Sequence, residues 1–134
     1  MKYSQATYWI GGKTSLGFSE ALERTKEALK GEGFGVLCEA DVQGTLKQKL
    51  GIERSPYQIL GACNPQFAHQ ALEFEDDLGL LLPCNVIVYE KNGVVWIKAI
   101  DPGKMLSVVE NPALDLIAVQ VKEKIVKMFE QIPD

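Results

Sequence analysis

The chain has 134 residues, is 46% hydrophobic and 24% charged, and carries a net charge of −4. That composition excludes intrinsic disorder, and the length fits one ordinary domain able to bury about 65–70% of its unfolded surface without metal or disulfide. Interspersed charges give no basic stripe for nucleic acid, no polybasic anchor or spanning apolar run points to a membrane, and Met1 to Gln5 lacks a signal-peptide core, so the cytoplasm is expected.

In chain order, Gln5 to Ile10 reads as a first strand. Gly11-Gly12-Lys13-Thr14-Ser15 superficially resembles a phosphate loop, but the motif needs a glycine five residues before Gly12, where Thr7 stands. A strand-to-helix turn is the better account. From Phe18 to Lys30 the apolar positions Phe18, Ala21, Leu22, Ala28 and Leu29 keep helical spacing, and Gly31 and Gly33 supply the stop. Val36 to Val42 reads as a strand with Val36, Cys38, Ala40 and Val42 on one face and Leu37, Glu39 and Asp41 on the other. Gly44 to Leu50 fits a short helix closed by Gly51, and Tyr57 to Ala62 another strand.

Asn64-Pro65 has the grammar of an N-cap followed by proline in the first helical turn, opening a helix to about Phe74 or Leu78. Asp101-Pro102 and Asn111-Pro112 repeat it, opening a short helix and the C-terminal one, whose buried stripe is Leu114, Ile117, Val121, Ile125 and Met128. Before Asp101-Pro102, Cys84 to Glu90 and Val94 to Ile100 flank Asn92-Gly93, the strongest short signal for a type I′ hairpin. With those two as the loop, Lys91 pairs Val94, Tyr89 faces Trp96, Val88 faces Ile97, Val86 faces Ala99, and Cys84 falls opposite Asp101.

Both faces of this hairpin are apolar. One carries Val86, Val88, Val95, Ile97 and Ala99; the other carries Ile87, Tyr89, Val94, Trp96 and Ile100, relieved only by Asn85 and Lys98. A two-layer domain covers one sheet face with helices. The aromatic face is too apolar for comfortable exposure, so a second subunit is expected to cover it, the alternative being a helix that crosses over within the monomer.

Tyr57-Gln58-Ile59-Leu60-Gly61-Ala62-Cys63-Asn64-Pro65, then Ala68-His69, then Gly79-Leu80-Leu81-Leu82-Pro83-Cys84-Asn85-Val86 resembles the prokaryotic family known as domain of unknown function 302. Glu39-Ala40-Asp41-Val42-Gln43, Thr45-Leu46-Lys47 and Asp101-Pro102 fit the same pattern, so the resemblance spans nearly the whole chain. It implies an α+β two-layer sandwich with an antiparallel sheet, similar to the TATA-box-binding-protein topology class, and usually a homodimer. It implies no activity, and the topology name is no argument for DNA binding.

Chemistry-bearing residues gather around two Cys-Asn dipeptides that bracket the only histidine. Cys63 stands just before a helix N-terminus, where the macrodipole and free amides favour a thiolate. That makes it a candidate nucleophile, redox thiol or metal ligand, or else a buried small hydrophobe. His69 lies off the apolar face of its helix (Phe67, Ala68, Ala71, Leu72, Leu78), beside Glu73 at i+4; the choice is a surface pair or an oriented ligand or base. Cys84 faces the core side.

Whether Cys84 meets Cys63 depends on topology. A parallel arrangement, towards which the helix-containing connection leans and which would make the sheet mixed, puts the thiols about 17–20 Å apart, whereas antiparallel neighbours bring them together. Glu39 and Asp41 share a strand face, as a solvated pair or as an acid/base or cation site with Lys47 as its third member. Asn64 and Asn85 are further ligand candidates, and Cys38 reads as core.

Three functional expectations follow. The first is a non-enzymatic homodimeric protein binding a small ligand or a soft metal, zinc or copper, near Cys63 and His69, with Cys84 as a third ligand. The second is a thiol-dependent enzyme or redox protein using Cys63. The third is a purely structural or regulatory interaction module.

Overall fold

The computed structural model describes residues 1–134. Its sheet is organised around the hairpin of β5 (Cys84–Lys91) and β6 (Val94–Ile100). Asn92 and Gly93 both take positive φ, 52° and 78°, as a type I′ turn demands. The register follows the sequence reading: Lys91 pairs Val94, Tyr89 pairs Trp96, Val88 pairs Ile97 and Val86 pairs Ala99. The ladder stops short of Cys84, because Asp101 turns away to cap the next helix, accepting from the Gly103 amide at 3.0 Å.

The six strands run in the order β1-β2-β6-β5-β4-β3, every neighbour antiparallel. The first strand of the sequence reading is displaced. The chain forms β1 (Ser4–Gln5), breaks, and then forms β2 (Trp9–Thr14), so the glycines expected in a turn lie inside a strand. Packing overrides glycine's low strand propensity here. A Cβ on Gly11 would stand 2.2 Å from the Ile97 carbonyl oxygen and 2.9 Å from Lys98 Cγ. Only a residue without a side chain lets β2 run flat against β6 beneath the Lys98 stem.

Helix α1 (Phe18–Gly31) ends in a Schellman arrangement. The Gly33 amide donates to the Lys30 carbonyl at 3.1 Å, and the Phe34 amide to the Leu29 carbonyl at 2.9 Å. Gly33 stands at φ 84°, and Phe34 is buried against the helix it terminates. β3 (Gly35–Asp41) is the sheet edge, and α2 (Val42–Leu50) leaves its end without burying a residue.

β4 (Tyr57–Cys63) leads through α3 (Pro65–Phe74) and a 3-10 turn (Asp76–Leu80) to β5. The turn returns the chain to the end of the sheet it left, so β4 and β5 are antiparallel, with Ala62 opposite Cys84. The parallel crossover expected from a helix-containing connection is not formed. After α4 (Pro102–Ser107), a 3-10 turn (Pro112–Leu114) lays Leu114 into the core, and α5 (Asp115–Glu130) adds Ile117, Val121, Ile125 and Met128.

The core lies between these helices and one sheet face. Leu60, Ala62, Val86, Val88, Val95, Ile97 and Ala99 meet Ala21, Leu29, Ile125, Met128 and Phe129. A bulge at Leu37 resets β3, so Val36 and Glu39 both pair residues of the core face, Ala62 and Leu60, while Cys38 pairs Gly61 on the other. Cys38 is exposed rather than core, because nothing covers that face at the sheet edge.

Gly11→Ala is expected to destabilise the fold by about 1–3 kcal/mol, since the clash is with backbone. Gly17→Ala, with nothing within 4 Å of the added Cβ, is expected to stay within about 0.5 kcal/mol of wild type. Urea unfolding of both variants checks the contrast.

Candidate functional site

The antiparallel β4–β5 pairing places Cys63 and Cys84 on one small cavity, with Phe34, Phe67, Ala71 and Leu78 also in its wall. At about 40 Å³ it is far below the few hundred Å³ of a small-molecule site, and its apolar lining favours a dry packing gap. Burial pushes the Cys63 thiol above its ordinary pKa, the opposite of the activation expected from its place before α3. Cys84 is pushed up to about 11 by burial and, secondarily, by Cys63. Both favour the protonated thiol at neutral pH. Asn64 occupies the N-cap position of α3, but its side chain makes no cap hydrogen bond; its Nδ2 donates to the Glu32 carbonyl at 3.4 Å.

The other candidates disperse. His69 is exposed on the outer side of α3, its Nδ1 4.0 Å from Glu73 Oε1, on a groove shared with Leu116 and Gln120 of α5 rather than on the cysteine cavity. No group of three or more His, Cys, Asp or Glu side chains is placed to hold a metal ion, so Cys63, His69 and Cys84 do not assemble as a ligand set within the chain. Glu39 is tied to Gln58 at 3.0 Å and to Lys26 of α1 at 3.0 Å, which hold its carboxyl below the usual range. Asp41 caps α2, accepting from the Gly44 amide at 2.9 Å, and Lys47 pairs Glu53 instead of joining the two acids.

The residues that do converge lie on the uncovered sheet face. Strand parity there aligns Asn85 with Gly61, and Ile87 with Ile59; on the adjoining β5–β6 ladder Ile87 pairs Lys98 and Tyr89 pairs Trp96. Tyr57 and Tyr89 stack with ring centroids 5.2 Å apart. Lys98 sits among them. Its ammonium lies 4.2 Å from the centroid of Trp9, 4.9 Å from Trp96 and 5.1 Å from Tyr89, and Nζ donates to the Tyr89 hydroxyl at 2.7 Å. Such cation–π contacts contribute about 0.5–2 kcal/mol each, more as water is excluded.

Beside the ammonium is a concavity of about 380 Å³ walled by Tyr8, Trp9, Tyr57, Ile87 and Ile100, with Asn85 at its edge. Sequence reasoning placed Ile87, Tyr89, Val94, Trp96 and Ile100 on this face but missed Trp9 and Tyr57. Ending the first strand at Ile10 hid the pairing of Trp9 with Ile100 and Lys13 with Trp96. The antiparallel β4–β5 neighbours, which bring Tyr57 to Tyr89, were the other missing link.

The family model for the domain of unknown function DUF302 matches residues 11–132. The chain belongs to the DUF302 family. A similar solved structure is the crystal structure of an uncharacterized conserved DUF302 protein from Bacillus stearothermophilus. It is 34% identical, with a TM-score of 0.87 over 94% of this chain and 98% of that one. No curated protein matches. Membership therefore fixes the fold of this DUF302 protein and leaves its activity to the site itself. No helix is long and apolar enough to cross a membrane.

Two outcomes follow from the thiols. In the unfolded chain Cys84 ionises near pH ~8.5, whereas the native state keeps it protonated to about 11, so the native state binds more protons across that window. Stability is expected to fall as pH rises through it, by up to about 1.4 kcal/mol per pH unit. Cys84→Ala should remove that part of the slope in urea titrations from pH 8 to 11. For Cys63, iodoacetamide alkylation followed peptide by peptide is expected to give an inflection above pH ~8.5, with exposed Cys38 as the accessible control.

Proposed function

We propose that this DUF302 protein is a non-enzymatic, homodimeric binding protein of the cytoplasm whose working surface is the open face of its sheet. The observation that carries the reading is the band of half-exposed Trp9, Tyr57, Ile59, Ile87, Tyr89, Trp96 and Ile100, none of which belongs to the core cluster. A contiguous apolar patch of this kind marks an interaction surface. A second copy fits it because an isologous contact sets aromatic and aliphatic rows against their own kind, without a carboxylate on either side to be stranded. The three unpaired cysteines favour a reducing compartment.

The thiol-enzyme reading loses support from the raised Cys63 thiol, and a ligand or soft metal at Cys63 and His69 loses it from their separate surfaces. Trp96→Lys puts a further cation between Lys13 and Lys98 on the face. It is expected to weaken the dimer about a hundredfold or more, as loss of a central aromatic anchor does. Sedimentation equilibrium of wild type and variant measures this, with circular dichroism confirming the fold. A wild-type protein that stays monomeric at high micromolar concentration, or a dimer indifferent to Trp96→Lys, overturns the interface.

A further inference from the structure

We infer that the concavity beside Lys98 is a binding site for a small planar carboxylate, the carboxylate held by the Lys98 ammonium and the planar body laid against Trp9, Tyr57 and Ile87. The site deepens the reading of the open face as the working surface, but it is built within one chain and needs no second copy.

The first observation is the state of Lys98. An ammonium has three donors; one goes to the Tyr89 hydroxyl, and no carboxylate or carbonyl of the chain accepts the others. Lys26, Lys47 and Lys122 pair with acids and most other lysines stand exposed in solvent, whereas Lys98 is half-buried among aromatic rings and a phenol. The rings hold the cation in place without neutralising it. The fold also makes room for this arrangement, since Gly11 leaves the space over which the Lys98 stem crosses β2.

The second observation is the shape and chemistry of the adjoining space. Its volume, about 380 Å³, lies at the small end of ligand sites, and its walls are flat rings and branched aliphatics. Tyr57 stacks on Tyr89 with 15° between the rings and carries the Arg54 guanidinium 5.0 Å from its centroid, so it is held rigidly and offers the space its ring edge. Asn85 is the polar side chain at the rim, able to donate or accept. A phosphate dianion calls for several cationic or backbone donors, and Lys98 is the one cation in the lining, Arg54 being engaged over the Tyr57 ring. One charge with aromatic walls matches a monoanion on a flat apolar body.

Both tryptophans of the chain, Trp9 and Trp96, flank Lys98, so intrinsic fluorescence reports on the site directly. Benzoate and phenylacetate are the probes, with benzamide as the neutral isostere and inorganic phosphate as the anion without a body. Saturable quenching by the carboxylates is expected, at least about tenfold weaker for benzamide, since a hydrogen bond to a charged group contributes that much. Lys98→Met keeps the apolar stem and should lose about tenfold or more.

No saturable quenching by either carboxylate, equal binding of benzamide, tighter binding of phosphate, or unchanged affinity in Lys98→Met overturns the proposal. Sedimentation of the same samples reads the dimer separately. Carboxylate binding by a protein that proves monomeric supports the site and overturns only the interface.

Discussion

The pairing of β5 with β6 is the constraint on which the rest of this molecule depends. Asn92-Gly93 fixes its register, and because side chains alternate with a strict period of two, the register decides which residues face the helices and which face out. A one-residue slip of β6 against β5 would send Val95, Ile97 and Ala99 to the open side and carry Lys98 towards the core. The apolar core excludes that slip, since a buried, unpaired ammonium costs several kcal/mol. Parity also extends outward through the ladder. β2 and β4 take their facing from the hairpin, which is how Trp9 and Tyr57 come to share a surface with Lys98.

The same logic explains what could be read from the sequence. The hairpin was legible because its turn chemistry and alternation are local, and α1 and α5 because their apolar spacing and end signals are local too. The facing of β3 was not, since the bulge at Leu37 has no signature in Gly35-Val36-Leu37-Cys38 and arises from fitting the edge strand to β4. Nor was β2, where Gly11 and Gly12 argue against a strand by propensity while close approach to β6 requires them. The first fact mistook Cys38 for core; the second, with the unforeseen antiparallel pairing of β4 and β5, hid the site by keeping Trp9 and Tyr57 from the open face. The reactive-looking residues drew attention by type, yet type without burial and partners does not assign a role. Cys63 and Cys84 line a packing gap, and His69 is a surface residue beside a carboxylate.

Lys98 links the two occupants proposed for the open face. A second copy laid over Trp9, Tyr57, Tyr89 and Trp96 removes apolar surface from water at about 25 cal/mol per Å², and an aromatic side chain offers 150–250 Å² when fully buried, so the rings of the two copies together offset the cost of desolvating their two Lys98 ammoniums. The three ring faces around Nζ already offset part of that cost, because cation–π attraction strengthens as water leaves. What the rings do not supply is a counter-charge. A carboxylate on Lys98 supplies it, and its effect is larger in the covered interface than on the open face, since Coulomb attraction grows as the surrounding dielectric falls. If the proposed dimer forms over this face, a small ligand that fits the concavity without protruding would be bound more tightly by it than by the monomer, and by linkage each bound ligand would tighten the dimer by the same factor.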